Sequence, residues 1–187
     1  TVVTFQGDNI YLTSAIKIAT LRQVILKRVM DIAVSIVGIL LTIIVGIIIL
    51  PIVKLQAPGP LIFTQTRIGQ NGKKFRIYKF RSMYMDAEER KAKLLSQNEL
   101  ETTLMFKMDN DPRVFPFGQK LRDWSLDELP QFINVLKGDM SVVGTRPPTV
   151  DEYTQYDLHH FKRMQVKPGI TGMWQVSGRS NILDFEE

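Results

Sequence analysis

The sequence predicts an α/β protein, mostly helical with a small β-hairpin, carried on one N-terminal membrane helix that either spans the bilayer or re-enters it. Three observations predict it. From Ile32 to Val53 no residue is charged, and about 22 such residues suffice to cross a hydrocarbon core. Two strand-like runs come next, joined through Asn71-Gly72, a pair suited to a hairpin turn. Beyond them, helical stretches are punctuated by Gly and Pro. The chain therefore divides into a juxtamembrane lead-in (1–26), a membrane helix (27–54) and a compact cytosolic domain (55–187). It begins at Thr1 rather than Met and ends on NILDFEE, as a piece of a longer protein would.

The lead-in is mixed. Ala15 to Val29 interleaves Ile16, Ala19, Leu21, Val24 and Ile25 with Lys17, Arg22 and Lys27, compatible with a helix entering the membrane. Lys27 and Arg28 precede the apolar run and Lys54 comes after it. The run is too long for a signal peptide and lacks a small-residue cleavage site. Gly46 and Pro51 are tolerated in membrane helices, and Pro51 would free a carbonyl one turn earlier. The Lys/Arg-rich remainder argues for the cytosolic side. QAPGP (Gln56 to Pro60) ends the membrane segment, and LIFTQTRI and KKFRIYKF form the hairpin. Asp86 to Leu104 reads as helix, Leu129 to Lys137 as a short helix stopped by Gly138, and Thr149 to Gln165 as another. KPGITGMWQVSGRS reads as loop and short strand, with Trp174 a core residue rather than an interfacial anchor.

Composition narrows the chemistry. The chain has 187 residues, no cysteine and a net charge of +5. Disulfides, zinc–thiolate sites and thiol nucleophiles are excluded, and anionic partners are favoured. There is no P-loop, no G-x-G-x-x-G, no G-x-S-x-G and no DNA-reading signature. A nucleic-acid partner would rest on the basic hairpin alone, and is set aside.

Three clusters could carry a reaction. The hairpin holds Arg67, Lys73, Lys74, Arg76, Lys79 and Arg81 without an acid between Thr64 and Arg81. By the period of two, Lys79 and Arg81 share a face with Phe75 and Ile77, where a charge needs an acid or a bound phosphate. A solvated basic face is the plain alternative. SLDELPQF puts Asp127 and Glu128 at the second and third positions of an expected helix capped by Ser125. There one carboxylate could attack or take a proton while the other holds Mg²⁺. A simple cap is the alternative, and TVDEY (Thr149 to Tyr153) repeats the pattern as an internal control. In GTRPP, Arg146 is presented from a stiff turn and its planar fork suits a phosphate. A turn arginine paired with a nearby acid would look the same.

Together KFRSM, DPR, SLDELPQF, LKGDMSVVGTRPP and KPGITGMWQVSGR, in this order, resemble the bacterial sugar transferases, the monotopic polyprenyl-phosphate phosphoglycosyl transferases. FKMDNDPR and GTRPPTVDEY are most similar to the capsular glucose-1-phosphate transferases of Gram-positive cocci. The resemblance runs from about Lys27 to the end and makes 55–187 a catalytic domain at the cytoplasmic face of a bacterial membrane. It implies that Asp127 attacks the β-phosphate of a UDP-sugar, releasing UMP, and that undecaprenyl phosphate then takes the phosphosugar. It implies Mg²⁺ at Glu128, and substrate phosphates at Lys79, Arg81, Arg122 and Arg146. Glucose is implied by the coccal likeness, with galactose as the rival; a homo-oligomer is compatible with it. Relatives break the membrane helix at a Ser-Pro that falls at Ile43-Ile44 here, where neither residue is present. The competing class is a non-catalytic, membrane-anchored module that binds anionic lipid.

Overall fold

The structure, a computed structural model, describes residues 2–6, 9–13, 20–90, 111–156 and 160–172. Trp174, the start of the expected lead-in helix (15–19) and residues 91–104 of the expected Asp86–Leu104 helix lie outside the described residues. Two compact units are present, Thr1–Met30 and Asp31–Glu187.

In the first unit β1 (Val2–Gln6) pairs antiparallel with β2 (Asn9–Thr13), Val2 opposite Thr13. The sequence pattern predicts no strands there. The unit also holds the start of α1 (Leu21–Gln56), set by a reciprocal pair in which Thr20 N–H donates to Gln23 Oε1 (2.9 Å) and Gln23 N–H to Thr20 Oγ1 (3.4 Å). At 36 residues α1 is about 54 Å long. It runs unbroken through Ile43-Ile44 and Pro51, and by length and apolar composition it could cross a membrane.

From Asp31 onward α1 has an inverted pattern. Its buried residues are Asp31, Ser35, Gly38, Thr42, Gly46, Ile49 and Val53, one every three or four positions along one stripe. Most are small or polar. The opposite face from Val34 to Leu50 is Ile, Leu and Val, 37–69% exposed. The stripe packs closely on the rest of its unit: a Cβ on Gly38 would lie 2.3 Å from the Phe132 ring, so only glycine fits there. Thr42 Oγ1 lies 2.7 Å from the Gly38 carbonyl and 3.0 Å from the Leu129 carbonyl. Asp31 Oδ1 accepts from Ser141 Oγ and Val142 N–H, each at 3.0 Å.

β3 (Ile62–Ile68) and β4 (Lys74–Phe80) form the expected hairpin, in register from Ile62↔Phe80 to Ile68↔Lys74. Asn71 and Gly72 turn it with φ of 56° and 77°, left-handed angles that this pair adopts at low cost. α2 (Pro116–Asp123) packs through Phe115 and Leu121 into a core with Ile49, Val53, Ala57 and Phe80. α3 (Gln131–Lys137) ends at Gly138, φ 90°, as the sequence predicts. Its Val135 joins Phe75, Ile77 and Met140 in a second core. Fully buried Asn134 stitches α3 to the free edge of β4: its Nδ2 donates to the Arg76 carbonyl (2.7 Å) and its Oδ1 accepts from Tyr78 N–H (3.1 Å).

β5 (Ser141–Val143) pairs in parallel with β6 (Gly169–Thr171). Gly144 and Gly169 touch backbone to backbone; a Cβ on Gly169 would sit 2.0 Å from Gly144 N. α4 (Val150–Thr154) is far shorter than the helix expected over Thr149–Gln165; a separate 3₁₀ turn covers His160–Gln165. The described fold is thus a mixture of helix and strand, with three two-stranded ribbons rather than one hairpin.

Candidate active site

The site is assembled where β4 meets the turn after α2. Leu126–Glu128 is a single 3₁₀ turn, entered through Ser125 in the left-handed region (φ 55°, ψ 21°). This corrects the expected helix start. Ser125 makes no side-chain cap, and the next helix begins at Gln131 behind Pro130. The left-handed Ser125 swings the chain so that Leu126 and Leu129 pack on the core around Phe80 and Leu121. Fixed on both sides, the turn holds Asp127 at 8% exposure. With three residues per turn, the Asp127 and Glu128 side chains diverge by about 120°, so they serve different partners.

Glu128 has its partner on β4. Lys79 Nζ lies 3.0 Å from Glu128 Oε1. The charge on an otherwise apolar strand face has therefore found an acid, one of the two partners the pattern allowed. Arg81, implied to meet substrate, is 4% exposed instead. Its Nε donates to the Pro60 carbonyl (2.7 Å), Nη1 to Met83 (3.5 Å) and Nη2 to Ala57. That geometry braces the QAPGP turn against β4 and turns the guanidinium away from solvent.

Arg122 is exposed in the last turn of α2. Its charge reaches Asp111. Asp111 itself holds Arg113 in a two-pronged ion pair at 2.6 to 3.1 Å. Burial pushes the Asp111 carboxyl up, but hydrogen bonds and charge from Arg113 outweigh it, and the net shift is downward. Asp111 and Arg113 anchor the loop before α2, with Tyr84 N–H donating to the Arg113 carbonyl at 2.9 Å.

Arg146 stands on the Thr145–Pro148 turn, with Glu152 at 3.3 Å. Two residues to which the sequence reading gave no role beside Arg146 lie beneath it, Arg67 of the basic hairpin and Glu152 of TVDEY. Arg67 Nη1 donates to the Pro147 carbonyl (3.1 Å) and lies 3.9 Å from Glu152 Oε2. Burial, then the like charge of Arg146, pulls the Arg67 guanidinium down to about 10, while Glu152 and Glu128 act the other way. Nearby Tyr156 is pushed up by burial and feels Arg163, Glu152, Arg146 and Arg67. The missed signals were a basic residue on an inward strand position and a buried Asn in a short helix.

Comparison with known proteins shows the family. Residues 22–187 match the bacterial sugar transferase family. The chain belongs to that family. It is 52% identical over 184 residues to the galactosyl transferase CpsE of Streptococcus agalactiae serotype III, covering 98% of this chain and 40% of the relative. It is 47% identical over 129 residues to the undecaprenyl-phosphate galactose phosphotransferase of Salmonella typhimurium, covering 66% and 27%. It is 45% identical over 157 residues to the UDP-glucose:undecaprenyl-phosphate glucose-1-phosphate transferase of Escherichia coli K12, covering 82% and 31%. This member of the family spans less than half the length of each of these relatives.

The donors decide which residues suit a divalent cation. Among the described residues no three His, Cys, Asp or Glu side chains come together as a metal cage. Mg²⁺ does not need one, because it binds through one or two carboxylates plus substrate phosphates and water. A single carboxylate such as Glu128 is compatible with that donor set.

Proposed function

We propose that this bacterial sugar transferase moves a hexose-1-phosphate from a UDP-sugar to undecaprenyl phosphate at the cytoplasmic face of the membrane, the first membrane step of capsular or exopolysaccharide synthesis. The observation that carries the reading is the turn that buries Asp127 and sets Glu128 against Lys79, in a chain whose relatives are named for transfer of sugar phosphates to undecaprenyl phosphate. In the first step an Asp127 oxygen attacks the β-phosphorus. The bond from that phosphorus to the bridging oxygen breaks, and UMP leaves with the bridging oxygen. In the second, the phosphate of undecaprenyl phosphate attacks the same phosphorus; the Asp127–phosphorus bond breaks and the carboxylate is regenerated.

Phosphoryl transfer asks the protein for position and charge neutralisation. Lys79 lowers the negative charge that Glu128 would add to a carboxylate nucleophile meeting a diphosphate. Arg146, 39% exposed at its side chain, offers a fork to phosphate oxygens, and exposed Arg122 adds positive charge on the approach. Mg²⁺, held by Glu128 and the substrate's own phosphates, would neutralise charge on the leaving phosphate.

The inverted α1 supports attachment to a bilayer. A face of Ile, Leu and Val spread over this length is far larger than a soluble monomer leaves in water. Lipid would cover it while the polar stripe stays against protein. Glucose is the first donor to try; galactose is the second reading, carried by the name of the 52% identical relative.

UMP release from each UDP-sugar, with and without EDTA, tests this. The expected result is release from one donor, abolished by EDTA and restored by Mg²⁺. Metal-independent release would remove Glu128 from its metal role, and no release from any UDP-sugar would favour the non-catalytic lipid-binding alternative.

A further inference from the structure

Arg146 is the outermost of three linked side chains. Glu152 accepts from it through both carboxylate oxygens at 3.3 Å. Glu152 Oε2 also accepts Thr149 N–H at 2.8 Å and lies 3.9 Å from Arg67. Side-chain exposure falls from 39% for Arg146 to 17% for Glu152 and 12% for Arg67. Beneath them the backbone is closed: Ile68 N–H donates to the Pro148 carbonyl at 3.1 Å, and Arg67 bridges Thr149. Among the described residues, Arg67 Nε is buried and meets no acceptor.

We propose that Arg67 and Glu152 are positioning residues that hold Arg146 as a pre-set arm for a phosphoryl group of the nucleotide. This rests on the reading of Arg146 as a phosphate ligand. A free arginine loses rotamer entropy when it is fixed on an anion. Glu152 removes much of that freedom at folding, so little remains to be lost when an anion binds. Arg67 holds the turn through the Pro147 carbonyl and holds Glu152 by charge. Glu152 therefore has two roles: it closes the cap of α4 and it aims Arg146.

Glu152→Gln separates the two, because its amide oxygen still accepts Thr149 N–H while the charge toward Arg146 is lost. UMP affinity is measured on the full chain in detergent micelles for wild type, Glu152→Gln, Arg146→Lys and the double variant, alongside each melting temperature. Expected are a roughly 10-fold weaker Kd for Glu152→Gln with little change in melting temperature, and no further weakening by Glu152→Gln once Arg146 is Lys. Arg67→Met should weaken UMP in the same direction. Weakening by Arg146→Lys with unchanged affinity in Glu152→Gln overturns the positioning role alone. If Arg146→Lys leaves UMP affinity intact, or wild type does not bind UMP, the phosphate reading of Arg146 falls and the inference falls with it.

Discussion

SLDE and TVDE share a pattern of hydroxyl, any residue, Asp, Glu, and fold in opposite ways. At Thr149 the pattern gives a complete capping box: Thr149 Oγ1 accepts Glu152 N–H at 3.1 Å and Glu152 Oε2 accepts Thr149 N–H at 2.8 Å. At Ser125 there is no cap; the serine is left-handed and the acids sit on a 3₁₀ turn. The difference originates in the residues downstream. After TVDE the chain continues as helix, so its amides need a cap. After SLDE come Leu129 and Pro130, with Leu126 and Leu129 drawn to the core. Tertiary burial then overrides the local preference, and the acids take contacts other than a cap, Glu128 with Lys79. A buried Asp in a turn, away from any cap, is a better candidate nucleophile than one whose neighbour is closing a helix.

The sharpest way to break this contrast is to change the two aspartates alike. Asp127→Asn is expected to lower UMP release by at least about 10⁴-fold, whereas exposed Asp151→Asn should stay within about twofold of wild type. Equal effects would erase the distinction. Next in size is Lys79→Met, which leaves Glu128 without its 3.0 Å partner on β4. It should reduce kcat by about 10²-fold, with little effect on membrane binding; an unchanged kcat would make the pair purely structural. The smallest effects concern the caps. Thr149→Ala should cost about 1 kcal/mol of stability. Ser125→Gly should relieve roughly 1 kcal/mol of left-handed strain. A larger loss of stability in Ser125→Gly than in Thr149→Ala, by denaturant midpoint, would restore the cap reading of SLDE.

The legible parts of the molecule were those governed by local rules. The apolar run became α1, Asn71-Gly72 turned the hairpin, and Gly138 ended α3. Lys79 on the Phe75–Ile77 face was rightly expected to need a partner. The parts that stayed hidden depended on long-range packing. The shared four-residue pattern does not distinguish Ser125 from Thr149, and nothing local says that Arg81 will turn to the carbonyls of Ala57, Pro60 and Met83. The same holds for Arg67 and Glu152, which are far apart in sequence and meet only when β3 is stitched to the TRPP turn. The polar stripe on α1 was readable in principle: Asp31, Ser35, Gly38, Thr42 and Gly46 recur at helical spacing within an apolar run.

In the proposed reaction Asp127, on its 3₁₀ turn, forms a covalent bond to the transferred phosphorus. The most direct measurement is intact mass of the chain in micelles after brief exposure to UDP-glucose or UDP-galactose with Mg²⁺ and no lipid acceptor, with peptide mapping of the product. The expected result is a hexose-phosphate adduct on Asp127, absent in Asp127→Asn and discharged by undecaprenyl phosphate. UMP release without an adduct, or an adduct mapped to another residue, would contradict it.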